Sequence, residues 1–233
     1  MSIGAGTAWR APLAVAVLLG GALTGCADGA EPGGAGASAG GGTATSAGVA
    51  SSAGVASSAG VARSGGRVGA AGSACPLPVA FDVAAGWKAK AVDRAGLGDS
   101  AEAGELADAL LKQGPVTAVC EIDAKPAGNI GFLRVYTAGP AAGDARTVLR
   151  AFVAAEGSVS RVTYRAFASG GLSGVEADYL VTDKLLEEKA KKSAVAVTTS
   201  KGPVVLHLGG LDTGEHDEML PAYELAKRTL RAT

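Results

Sequence analysis

Regular hydrophobic patterning begins near residue 81. Phe81-Asp82-Val83 and Trp87 to Val92 read as short extended pieces around the turn Ala84-Ala85-Gly86. Asp99-Ser100 followed by Glu102 resembles a helix cap, and Leu106, Leu110 and Leu111 then fall at helical spacing. A first helix is predicted over about 101–113, stopped by Gly114-Pro115. Val116 to Ile122 alternates, with Val116, Ala118, Cys120 and Ile122 on one face, and Phe132 to Thr137 is its expected hairpin partner. Ala145, Val148, Leu149, Phe152 and Val153 form one apolar stripe between Asp144 and Gly157, which predicts a second helix.

Two further hairpins come next in the chain. Val162 and Tyr164 share one face of Val159 to Phe167, and Arg161, Thr163 and Arg165 take the other. Val175, Ala177, Tyr179 and Val181 form the apolar face of the next strand, opposite Glu176 and Asp178, after the loop Ser169-Gly170-Gly171-Leu172-Ser173. Two arginines facing two acids across a hairpin suit a solvated sheet face, and a charged ligand site is the alternative. The last hairpin is expected at Ala194 to Thr199 and Val204 to Leu208, turning at Ser200-Lys201-Gly202. A closing helix carries Met219, Leu220, Tyr223, Ala226 and Leu230, with Pro221 in its first turn. The order implies an α+β domain: an antiparallel sheet of about six strands built from hairpins, packed with two to three helices.

Upstream the pattern changes character. Arg10 precedes an apolar run from Ala11 to Leu23, the length of an export-signal core and short of the roughly 20 residues of a membrane span. The run closes on Leu23-Thr24-Gly25-Cys26, which resembles the bacterial lipobox. That resemblance implies cleavage before Cys26 and diacylglyceryl attachment to its sulfur. Two acyl chains give stable anchoring where one does not.

Composition sets the character of the stretch after Cys26. Residues 27–74 hold 15 Ala, 14 Gly and 8 Ser, and no aromatic occurs between Trp9 and Phe81, so this stretch lacks the apolar side chains for a core. Ala47-Gly48-Val49-Ala50-Ser51-Ser52 recurs at 53–58 and nearly so at 59–64, where Arg63 interrupts it. One Val per copy buries too little to offset backbone entropy, so a disordered tether is expected, spanning about 35–40 Å. The expected layout is a signal peptide over 1–25, a lipidated Cys26 with its tether over 26–74, and one domain over 75–233.

With Cys26 assigned to lipid, Cys75 and Cys120 remain, and an even pair in an exported chain most simply forms one disulfide; two free thiols are the alternative. The net charge of −1 lacks the basic footprint of a nucleic-acid binder.

The stretch Phe81-Asp82-Val83-Ala84-Ala85-Gly86-Trp87, the three hairpins and the closing helix resemble the PsbP-like α/β/α sandwich, and most nearly the actinobacterial membrane lipoproteins related to LpqN. The resemblance covers about 78–231; relatives often carry Pro where this chain has Ala85. It implies an adaptor or accessory subunit with no common catalytic set.

The candidate chemical groups agree with that implication. His207 lies in a strand beside Val205's face, and His216 sits among Glu215, Asp217 and Glu218, acids that a helix start attracts. Ser173 lacks the Gly-x-Ser-x-Gly spacing, because Val175 occupies the last position. No cofactor is expected, and no catalytic or metal-binding set. A tryptophan at Trp87 is more often a core anchor under the first hairpin, and the mixed-charge segment Asp183 to Lys192 a solvated turn or loop. If either serves a partner or ligand, the contacts are Trp87 and the lysines Lys189, Lys191 and Lys192, which would suit anionic lipid heads. The reading is therefore a non-enzymatic extracytoplasmic lipoprotein, held to the cell membrane by its lipid and serving as a binding or accessory module for an envelope protein or lipid. An envelope hydrolase using His216 with a carboxylate, or a small-ligand or lipid carrier, is the alternative.

Overall fold

The structure, a computed structural model, describes residues 60–94, 96, 100–183 and 187–233. The expectations for the export segment, Cys26 and the first two repeat copies lie outside these residues, as does Asp99 of the expected cap.

In chain order the elements are β1 (Ser64–Val68), β2 (Val79–Ala84), β3 (Lys88–Ala91), α1 (Ala101–Leu111), β4 (Lys112–Gln113), β5 (Val116–Asp123), β6 (Gly131–Thr137) and α2 (Ala145–Ala154). They continue with β7 (Val159–Ser169), β8 (Leu172–Thr182), β9 (Lys189–Thr199), β10 (Gly202–Gly210), α3 (Thr213–Thr229) and β11 (Arg231–Ala232). Eight strands form one antiparallel sheet, ordered β3-β5-β6-β10-β9-β8-β7, with β4 also paired to β5. A second sheet of three strands runs β1-β2-β11. The mixed α+β class is as expected, but the strand count exceeds six because short segments find partners: β3 and β4 on β5 at one end of the large sheet, and β1 and β11 on β2 in the second sheet.

The large sheet is covered on both faces. One face carries α2, whose Val148, Leu149, Phe152 and Val153 pack on Ala177, Tyr179, Ala194, Ala196 and Val205. The alanines of β9 let the helix approach closely. The other face carries α3 and β2, with Phe81, Met219, Tyr223 and Leu230 against Val195, Val197, Leu206 and Leu208. Alternation along β10 serves both cores, because successive side chains point to opposite faces.

β5 departs from the expected single face. Val116 and Ala118 join the core under α2, whereas Cys120 and Ile122 join the core under α3. The register against β6 shifts between Ala118 and Cys120, and the extra residue of this bulge turns the strand over.

Helix α2 matches its pattern: Asp144 accepts a hydrogen bond from the Thr147 amide, and the five stripe residues are the buried ones. Helix α1 does not. Ser100 caps it by accepting from the Ala103 amide, but only Ala107 is buried, while Leu106 and Leu110 are 52% and 65% exposed. The helix lies at the sheet edge between β3 and β4, where no layer covers its apolar flank.

Two boundaries also move. The third repeat copy and the residues after it belong to the fold: β1 pairs with β2, Val68 is buried, and the Ala62 amide donates to the Pro221 carbonyl. Residues 60–74, upstream of the expected domain boundary at 75, thus pack with the fold. Pro221 lies in the interior of α3, not its first turn, because the helix begins at Thr213 behind the cap Asp212. Lacking an amide proton, Pro221 leaves the Asp217 carbonyl without its helical donor.

The turn between β7 and β8 is Gly170-Gly171, with φ of +53° and +78° at the two centres, the two-residue hairpin conformation that favours glycine. Cys75 and Cys120 are joined in a disulfide that ties the segment before β2 to the middle of β5. Among the described residues no helix is long and apolar enough to cross a membrane.

Candidate functional site

The first turns of α3 are fixed to the sheet from three sides. Asp212 accepts from the Glu215 amide as N-cap. Glu215 in turn accepts from the Ile130 amide before β6. Thr213 bridges to β9, accepting from the Lys191 amide and donating to the Lys189 carbonyl. This docking places His216 over the middle of β9.

There the imidazole meets a buried polar chain. His216 Nε2 is 3.0 Å from Ser193 Oγ, which donates to Asp178 Oδ1 at 2.7 Å. On its other side His216 Nδ1 is 3.3 Å from Asp217 Oδ1. Asp178 also receives the Arg165 guanidinium, which reaches Glu176 at 3.6 Å. Glu176 accepts from Lys227 at 2.5 Å, and Lys227 donates to Glu224 at 2.6 Å. A polar seam thus runs under α3 from Asp217 to Glu224. The charged face of β8 is not the solvated face its pattern suggests: Glu176 is buried beneath α3, and the pairing with Lys227 is what makes that burial tolerable.

Serine, histidine and aspartate in this order invite comparison with a catalytic relay. Ser193 is only 1% exposed, and its single proton goes to the nearer and charged acceptor, Asp178, rather than to His216. Burial holds His216 below the usual histidine pKa, with Asp217 pulling the other way. The chain from Asp217 to Asp178 has three donor–acceptor gaps, for which a neutral imidazole and one hydroxyl supply two protons.

Beside this chain lies a groove of about 380 Å³, walled by Leu180 and Leu220 and edged by Arg161, Lys191 and Asp217, with Ser193 and His216 at its floor. Lys191 bonds both oxygens of Asp217 at 3.0 Å, a pair about half exposed on each side.

On the opposite face of the sheet, His207 is buried between Phe152 and Tyr179; Glu156 accepts from Gln113 and Tyr179, while His207 Nε2 lies 3.4 Å from it without a hydrogen bond. Burial lowers the His207 pKa to about 3, so the ring is neutral at physiological pH.

The residues singled out in the sequence fall differently. Trp87 is a core residue beneath β2, not an exposed contact. Lys189, Lys191 and Lys192 belong to β9, whose alternation separates them: Lys191 turns toward Asp217, while Lys192 is half buried and donates to the Gly210 carbonyl. They form no basic patch. His216 is central, but Ser193, Asp178 and Arg161, which share its groove, are 23, 38 and 55 positions away on three different strands; the sequence shows Arg161 and Asp178 only as charged faces of a hairpin and gives no sign of Ser193.

A family model matches residues 45–230, more than half of the chain. The chain belongs to the family described as uncharacterised lipoprotein. The family's matched region takes in the repeats, the disulfide and every residue of the groove. Among solved structures, this lipoprotein is similar to cyanobacterial PsbP (CyanoP) from Synechocystis sp. PCC 6803, at 15% identity. The similarity covers 78% of this chain and 99% of that one, with a TM-score of 0.46. No curated protein matches.

Proposed function

We propose that this is a lipid-anchored lipoprotein on the extracytoplasmic face of the cell membrane whose domain serves as a binding or accessory module of the envelope. The anchoring half of the reading is supported by the family and by Leu23-Thr24-Gly25-Cys26, which supplies the sulfur for acylation. The binding half rests on one observation, the groove beside α3 with hydroxyl and imidazole at its floor. Sites of this form, concave with apolar walls and a few converging polar groups, take ligands. Residues 27–59 then act as a lead between membrane and domain.

Membrane partitioning tests the anchor. The wild-type chain is expected to sediment with membranes and to incorporate a labelled lipid precursor, and Cys26→Ala is expected to lose both. A Cys26→Ala protein that still partitions with membranes overturns the reading.

A further inference from the structure

We propose that the groove between β7, β8, β9 and the first turns of α3 binds a small anionic amphiphile: a carboxylate or phosphate head carrying a short alkyl tail. This deepens the reading of the domain as a binding module and is independent of the anchor.

The head is assigned by charge. Of the two arginines on β7, Arg165 is paired with Glu176 and Asp178, whereas Arg161 has no ion pair among the described residues and edges the groove. Arg161 also has φ of +53°, a left-handed conformation that disfavours any residue but glycine. It sits where the β7–β8 register shifts between Ser160 and Thr163, and a bulge of this kind re-aims a side chain. Strain of this sort persists where the surroundings impose it, and it gathers at ligand clamps. A guanidinium is the side chain best shaped to take a carboxylate or phosphate in a bidentate grip.

The two acids of the groove do not oppose this. Asp178 is held by Arg165 and Ser193, and Asp217 by Lys191 and His216. The Lys191–Asp217 pair is exposed, so the Lys191 ammonium, with three donors, can stay on Asp217 and still donate to an incoming anion. The chain from Asp217 through the buried His216 and Ser193 to Asp178 is moreover one proton short. An incoming anion adds to the pull of Asp217 and Asp178 on that proton, against burial and the positive charge of Lys191. The bound state is therefore the one that completes the chain, and binding tightens as pH falls.

The tail is assigned by the walls. Leu180 and Leu220 are half buried and face the same groove, whose volume of about 380 Å³ is at the small end of ligand clefts.

The test is calorimetric titration of the purified full-length chain carrying Cys26→Ser with octanoate, octyl phosphate, inorganic phosphate and the neutral octyl glucoside. Octanoate and octyl phosphate are expected to bind, the tighter of the two naming the native head. Arg161→Ala is expected to weaken both about tenfold or more. Arg161→Gly should weaken them equally while raising the melting temperature, because glycine removes the strain. Octanoate, which stays ionised, is expected to bind more tightly at about pH 6 than at about pH 7.5. The proposal is overturned if octyl glucoside or inorganic phosphate matches octyl phosphate, or if both Arg161 variants keep wild-type affinity. A failed anchor shows instead in the partitioning of Cys26→Ala and leaves this titration untouched.

Discussion

The two histidines show how burial holds an imidazole's pKa down even beside a carboxylate, with the charges of Lys192 and Arg134 adding to the effect at His207. His207 has Glu156 at 3.4 Å and His216 has Asp217 at 3.3 Å, yet burial lowers both below the ordinary histidine value. This sets the sign for stability: an unfolded chain takes up protons near pH 6.5 that the folded chain refuses, so the folded state weakens as pH falls from there. For His207 the window extends down to about pH 3. Each such group contributes a slope of up to about 1.4 kcal/mol per pH unit. Urea unfolding measured across this range should show the wild type losing stability on acidification. His207→Phe keeps the ring between Phe152 and Tyr179 and removes the proton, so its slope is expected to be shallower by about that amount. Equal slopes in the two proteins would show that His207 does not contribute.

At the scale of elements, α1 and α2 make a controlled comparison, since each has apolar residues at helical spacing and a side-chain cap. Packing separates them. Phe152 is fully buried under the sheet, whereas Leu106 and Leu110 project from an edge helix. Phe152→Ala is expected to destabilise by about 3–5 kcal/mol, and Leu106→Ser and Leu110→Ser by less than about 0.5 kcal/mol each. Denaturant titrations of the three variants decide it, and a large loss at Leu106 would place that residue in a core. Periodicity reports that a helix has an apolar side. It does not report whether another element arrives to cover it, which is why α2 was fully legible and α1 only in its bounds. The lysines of β9 teach the same point for strands, since three cations close in sequence are divided between two faces once the segment is extended.

For the molecule as a whole, the disulfide is the long-range tie that the sequence made plainest. Cys75 and Cys120 close a loop with a separation of 45 residues, joining the segment before β2 to the sheet. Loop-closure entropy for that length corresponds to about 4 kcal/mol. The double substitution Cys75→Ala/Cys120→Ala is expected to lower the unfolding free energy by roughly this much, read from the shift in urea midpoint at unchanged m-value. A loss well under about 1 kcal/mol would mean that the unfolded chain is already constrained without the bond.

The sequence by itself determined the properties that depend on near neighbours: the apolar run before Cys26, the alanine–glycine–serine stretch behind it, the alternation of the hairpins and the stripe of α2. Only the tertiary structure decided the rest. It turned β5 over at a bulge, drew residues 60–68 into the fold, put Trp87 inside, and buried Glu176 against Lys227. It also assembled the groove, because Arg161, Asp178, Ser193 and His216 come from three strands and a helix. Local pattern fixes which face of an element is apolar, since that depends on backbone period alone. Which charged groups meet beneath it depends on the register and packing of elements far apart in the chain, and no short-range spacing records that.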